Sequence, residues 1–297
     1  MIKLFAPFIL LFFYACSPTE KTKVSPMLWE ITGNHLSKPS YIFGTFHTRN
    51  AEINNLPTIV LSKLRHSQRL YTEIPITEKS TNKIIHFSKA IPPKPLKQRI
   101  DPKILKKLSI FLRTTNTSLH FKTLHTFKIW AIALMVSNQK DEHKNPNTLF
   151  MDEYLIEIAK KSHIKHMGLE TPLEQLHYFD ILSQREQNLF LFEALRQADN
   201  SDYDLALQKW YQKGEATGFL KLQKQFTSQN PKQQHLDKKL LQGLLFERNH
   251  RFIRRINILL QNNPSLSYFF AIGAGHLSGE KSILTGLKKL GYTIHKL

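Results

Sequence analysis

One cysteine in 297 residues has no partner within the chain, which excludes a disulfide framework and any CxxC metal site. Eleven glycines are too few for a glycine-rich repeat architecture. The longest apolar run, Leu4 to Ala15, is about twelve residues and too short to span a bilayer as a helix. No HExxH, GxSxG or P-loop motif occurs, and the third glycine of a dinucleotide fingerprint is replaced by Ser278. Negative charge is also scarce: 23 Asp and Glu face 42 Lys and Arg, so 42 − 23 = +19. Hydrophobic residues make up 41% of the chain, which is enough apolar surface for a folded core and excludes a disordered or fibrous polymer.

The excess cations are spread along the chain and form no long block interleaved with aromatics. This pattern fits a solvated basic surface better than a nucleic-acid footprint. The N-terminus carries Lys3, the apolar run, and then Cys16 followed by polar Ser17-Pro18-Thr19-Glu20. That order suits a signal peptide over residues 1–15. Phe13-Tyr14-Ala15-Cys16 resembles a bacterial lipobox, in which the cysteine is lipidated and becomes the mature N-terminus. The resemblance implies a lipid-anchored protein of the cell envelope, with residues 16–27 as a tether and one domain over 28–297. An ordinary secreted or periplasmic protein is the alternative. Loss of residues 1–15 removes one cation and leaves 41 − 23 = +18, a charge suited to anionic headgroups or acidic polysaccharide. Export also removes nucleic acid from the expected partners.

Short β-branched and aromatic runs predict strands at Ser40–Phe43, Arg69–Thr72, Ile164–Met167, Tyr268–Ile272 and Tyr292–His295. Three- and four-residue apolar spacing predicts helices in Leu56–Leu64, Ile104–Leu112, Phe127–Val136, Tyr154–Ala159 and Leu240–Leu260, while Gln139–Asn147 reads as a polar loop. Near each end of the chain a strand runs into a GxxH turn, then a helix, then another strand. The two turns are Gly44-Thr45-Phe46-His47 and Gly273-Ala274-Gly275-His276. The expected fold class is α/β: a mainly parallel sheet built from these two units, with a large helical insertion or cap between them.

Ligands collect at the carboxyl ends of strands in such sheets. His47, Glu73, Glu170 and His276 all fall at predicted strand ends. Two imidazoles and two carboxylates there suit a divalent ion, with Mn, Co or Zn the candidates. Gly44, Gly273 and Gly275 allow sharp turns and close approach of a ligand to the backbone. Any one of these histidines or glutamates alone is more often a structural group; Glu170-Thr171-Pro172, for example, also reads as a helix entry with Thr171 as its N-cap.

Taken in order, Leu28-Trp29-Glu30-Ile31-Thr32-Gly33, Lys38 to His47, Thr72-Glu73, Met151-Asp152-Glu153-Tyr154-Leu155, Gly168-Leu169-Glu170-Thr171, Arg248-Asn249 and Gly273 to Leu277 resemble the TraB/PrgY/GumN family. That family is similar to the Tiki metalloproteases and, more distantly, to erythromycin esterase and ChaN-like folds. The resemblance implies metal ligands at His47, Glu73 and His276, with Glu170 a ligand or general base. Arg248 and Asn249 would line the site, Arg248 stabilising an oxyanion or binding a substrate carboxylate. The expected activity is a metal-dependent hydrolase acting on peptide or protein. The alternative is a non-catalytic lipoprotein that sequesters haem, metal or a peptide.

Overall fold

Among the described residues six strands form one sheet in the order β4-β3-β5-β2-β1-β6. They are β1 (Leu28–Gly33), β2 (Ser40–Thr45), β3 (Arg69–Thr72), β4 (Lys165–Gly168), β5 (Tyr268–Gly273) and β6 (Tyr292–Lys296). The structure, a computed structural model, describes residues 26–47, 51–115, 117–142, 149–198 and 202–297. The expected signal peptide, Cys16 and nearly all of the expected tether therefore lie outside the described residues. Among those described, no helix is long and apolar enough to cross a membrane.

Strands β2, β3, β4 and β5 run parallel, and every residue of β2 and β5 is buried. Burial on both faces is what makes these central strands read as continuous apolar runs rather than alternating ones. The α/β class and the helical insertion follow the sequence reading, and five strands lie where it put them. The strand it missed is β1, which pairs antiparallel with β2 on one side and with β6 on the other. Neither strand–helix–strand unit pairs its own two strands. β5 separates β2 from β3, and β6 docks on β1 rather than on β5. The two units thus interlock, with Tyr41 beside Phe269 and Thr45 beside Gly273.

Two apolar cores result. One surrounds the sheet and includes Ile42, Phe43, Leu70, Phe269, Phe270 and Ile272. The other lies within the helical insertion around Leu108, Trp130, Val136, Phe179 and Leu191. The insertion helix Ile129–Glu142 runs through the first four residues of the expected polar loop at Gln139–Asn147; residues 143–147 lie outside the described set. The predicted helix at Leu240–Leu260 is broken into three segments. Helix Pro231–Leu241 widens into a π-turn over Gln242–Glu247 and resumes as helix Arg248–Asn262.

Candidate functional site

The sheet order determines which side chains share an edge. The four parallel strands end on the same side, so the residues following them line up as Glu170, Glu73, His276 and His47. Helix Arg248–Asn262 then delivers Arg248 into this row. Its position follows from spacing: Arg248, Phe252, Ile256 and Leu260 recur every four residues and form one buried stripe. Arg248 is 0% exposed and its guanidinium lies 5.1 Å from the Phe252 ring centroid.

The guanidinium uses both of its donor edges. On one edge, Nε donates to Glu170 Oε1 at 2.7 Å. On the other, Nη2 donates to Glu73 Oε2, while Nη1 donates to the Leu244 carbonyl at 3.0 Å and lies 3.1 Å from His276 Nε2. Glu73 Oε1 accepts the Gly273 backbone N–H at 2.7 Å and sits 3.7 Å from His276 Nε2. Glu170 Oε2 faces Arg251 at 3.2 Å. Two carboxylates are therefore tied to arginine, and the arrangement neutralises charge that burial alone would not tolerate. Burial nevertheless holds the Glu73 pKa above the usual carboxylate range, against the opposing Arg248 charge and hydrogen bond. Arg248 is raised above its ordinary value, because the charges of Glu170 and Glu73 outweigh the burial that works against it.

The two GxxH histidines have different surroundings. His276 Nδ1 lies 2.6 Å from Asn249 Oδ1, so Nδ1 is the protonated nitrogen and Nε2 keeps its lone pair. Asn249 is fixed in turn by donating to the Lys281 carbonyl at 2.8 Å. Burial, followed by the Arg248 charge, pushes the His276 pKa well below its ordinary value, so the ring is neutral. His47 Nδ1 lies 3.1 Å from Asp152 Oδ2, and its ring stacks on Phe150 at 5.2 Å between centroids. Burial lowers the His47 pKa, but the Asp152 hydrogen bond and the charges of Asp152, Glu73 and Glu153 outweigh it and leave the value raised. His47 Nε2 is buried with no hydrogen-bond partner among the described residues.

Glu73, Glu170, His276, Arg248 and Asn249 thus form one hydrogen-bonded cluster, and His47 stands beside it, held by Asp152. Gly44 and Gly275, two of the three glycines expected to approach a ligand, pack against the protein itself. A Cβ at Gly44 would sit 3.0 Å from Met27 Cβ, and one at Gly275 would sit 3.0 Å from the Phe219 ring. The Gly44 carbonyl accepts the Tyr211 hydroxyl at 2.8 Å. Sequence reasoning gave no role to Asp152, Tyr211 or Phe219. Each sits on a helix whose inward face is set by packing, and the only sequence signal was Asp152's place in the Met151–Leu155 segment.

By type, the donors fit a divalent ion. His47 and His276 each have Nδ1 committed to a side-chain oxygen, which is how metal-binding imidazoles are commonly oriented, and Glu73 supplies a carboxylate next to His276 in the row. By placement they are not gathered: among the described residues no three His, Cys, Asp or Glu side chains are grouped to hold an ion. Arg248 occupies the lone pairs of Glu73 and His276 that an ion would use.

The chain is similar to metalloprotease TIKI2 of Danio rerio, 24% identical over 322 residues covering 93% of this chain and 62% of that protein. A metalloprotease TIKI homolog of Nematostella vectensis is 24% identical, covering 93% and 68%. Metalloprotease TIKI1 of Xenopus tropicalis is 23% identical, covering 93% and 62%. The chain thus spans about three fifths to two thirds of the length of these relatives. No solved structure is a significant match. The TraB/PrgY/gumN family model matches residues 27–296, a span that takes in all six strands and every residue of the cluster, and the chain belongs to that family.

Proposed function

We propose that the chain is a metal-dependent hydrolase of peptide bonds in the bacterial cell envelope, anchored by a lipid on Cys16. The reading rests on one observation above the others. The two GxxH histidines, 229 positions apart in sequence, each have Nδ1 bound by a side-chain oxygen, so that in the neutral ring Nε2 carries the lone pair. The names of the Tiki relatives agree with a metal-dependent protease. His47, His276 and Glu73 would hold the ion once His276 Nε2 and Glu73 exchange their contacts to Arg248 for it, with Mn, Co or Zn matching these donors. A bound ion of this kind supplies hydroxide near neutral pH by acidifying its water.

The chain's own groups do the remaining work. Asn249 keeps the His276 lone pair on Nε2. Arg248 is a rigid fork of donors anchored on Glu170 and the Leu244 carbonyl, and it balances the charge of the buried Glu73. Glu73 and His276 lie on one edge of that fork and Glu170 on the other, which makes Glu170 the anchor of Arg248. The helices Asp202–Gln212 and Phe219–Gln225 exclude water from the two turns through Tyr211 and Phe219.

The test uses protein stripped of metal and then given Mn, Co or Zn with a peptide library. Cleavage should return with metal and fall by at least about 100-fold in His47→Ala and Glu73→Gln. Stoichiometric binding of metal, haem or peptide without turnover would instead assign the chain to sequestration.

A further inference from the structure

We infer that Asp152 is a positioning residue that decides which nitrogen of His47 is free. The inference rests on the reading of His47 as a metal ligand and goes beyond it, since it assigns a role to a residue outside the ligand set. Helix Met151–Lys161 opens with two adjacent acids, and the structure uses them differently. Glu153 turns back to the chain and accepts the Phe150 N–H at 3.1 Å, which is a helix-capping role. Asp152 turns inward, is 4% exposed and meets His47 Nδ1 at 3.1 Å.

A carboxylate only accepts hydrogen bonds, so in the neutral ring the Nδ1 facing it carries the proton and Nε2 carries the lone pair. That nitrogen is the one buried without a hydrogen-bond partner among the described residues. An acid serving only the helix dipole would remain in solvent, as first-turn acids usually do. Stacking of Phe150 on the imidazole removes the remaining rotational freedom. Asp152 and Phe150 together thus fix both tautomer and ring plane, and the helix start is the device that delivers them. Asn249 makes the corresponding contact to His276 from a different helix, so the two imidazoles reach the same tautomer by separate routes.

Two readouts test this. Imidazole nitrogen NMR at alkaline pH, with His47 assigned through loss of its signal in His47→Gln, should show the Nδ1–H tautomer in the unaltered chain. Asp152→Ala should shift the population toward Nε2–H, and Asp152→Asn, which keeps an acceptor oxygen, should restore it. Cobalt(II) affinity should fall by about 10- to 100-fold in Asp152→Ala and by less in Asp152→Asn. An Nε2–H tautomer in the unaltered chain, or equal cobalt affinity in Asp152→Ala, overturns the assignment. If the unaltered chain binds no cobalt at all, the metal reading fails, and the tautomer measurement still decides the role of Asp152. Should Asp152→Ala fail to fold, the unaltered spectrum and Asp152→Asn carry both measurements.

Discussion

Arg248 shows what a single residue contributes here. Among the described residues it is the one cation that faces both buried glutamates and His276, and its removal would leave two carboxylates with too little compensating charge. Breaking a buried ion pair from one side costs about 3–5 kcal/mol. Arg248→Met should therefore lower the unfolding free energy by about that amount in urea titrations, and a loss under about 1 kcal/mol would show that the cluster is not a buried ionic one. Arg248→Lys should also be costly, because an ammonium cannot serve both edges at once. The four strand-end residues were legible in the sequence because strand ends can be read from composition. The depth of Arg248 was not read from the sequence, where a surface or capping arginine fitted as well, although its four-residue spacing with Phe252, Ile256 and Leu260 carries it. Asp152 and Tyr211 were not legible, since nothing local says which face of a helix will turn toward a distant turn.

At the scale of elements, the π-turn Gln242–Glu247 is the device that aims Arg248. One widened turn shifts the phase of the helix, and such turns are frequent at functional sites. It is seated by Gly243, where a Cβ would lie 2.4 Å from Tyr178 Cδ1. Alanine is ordinarily the better helix former by about 1 kcal/mol. Here the clash should reverse that sign: Gly243→Ala should lower stability by about 1–3 kcal/mol, measured by chemical denaturation. A stabilised variant would contradict the packing described. The entry of helix Pro172–Asp180 was readable in full, with Thr171 capping Glu174 N and Pro172 in the first turn, because caps are local chemistry. The π-turn was hidden inside one continuous apolar period, and only the lone glycine marked it. Strand β1 escaped for the opposite reason: Glu30 and Thr32 interrupt it, so it lacks the apolar run that marked the other strands.

At the scale of the whole molecule, the sequence shows two similar units but not that they interlock. Pairing Tyr41 with Phe269 closes a loop of more than 200 residues, and no local pattern encodes such a closure. The same packing leaves a mark on stability. His166 Nε2 meets the Thr72 hydroxyl at 2.7 Å, and burial pushes the His166 pKa down to about 4. The unfolded chain, with an ordinary histidine near pH 6.5, therefore binds a proton that the folded chain refuses. Stability falls as pH drops from about 6.5 toward 4, and the lowered His276 adds to the fall. His166→Gln should flatten that slope by about one proton in denaturation series across this range, and an unchanged slope would contradict a half-buried, neutral His166.

The central claim is that one site is assembled from a histidine near each end of the chain. A cobalt(II) titration of metal-stripped protein, followed by visible absorption, tests it most directly. The account predicts one bound equivalent in the unaltered chain and none in either His47→Ala or His276→Ala. Full binding retained in either variant, or no binding in the unaltered chain, would contradict it.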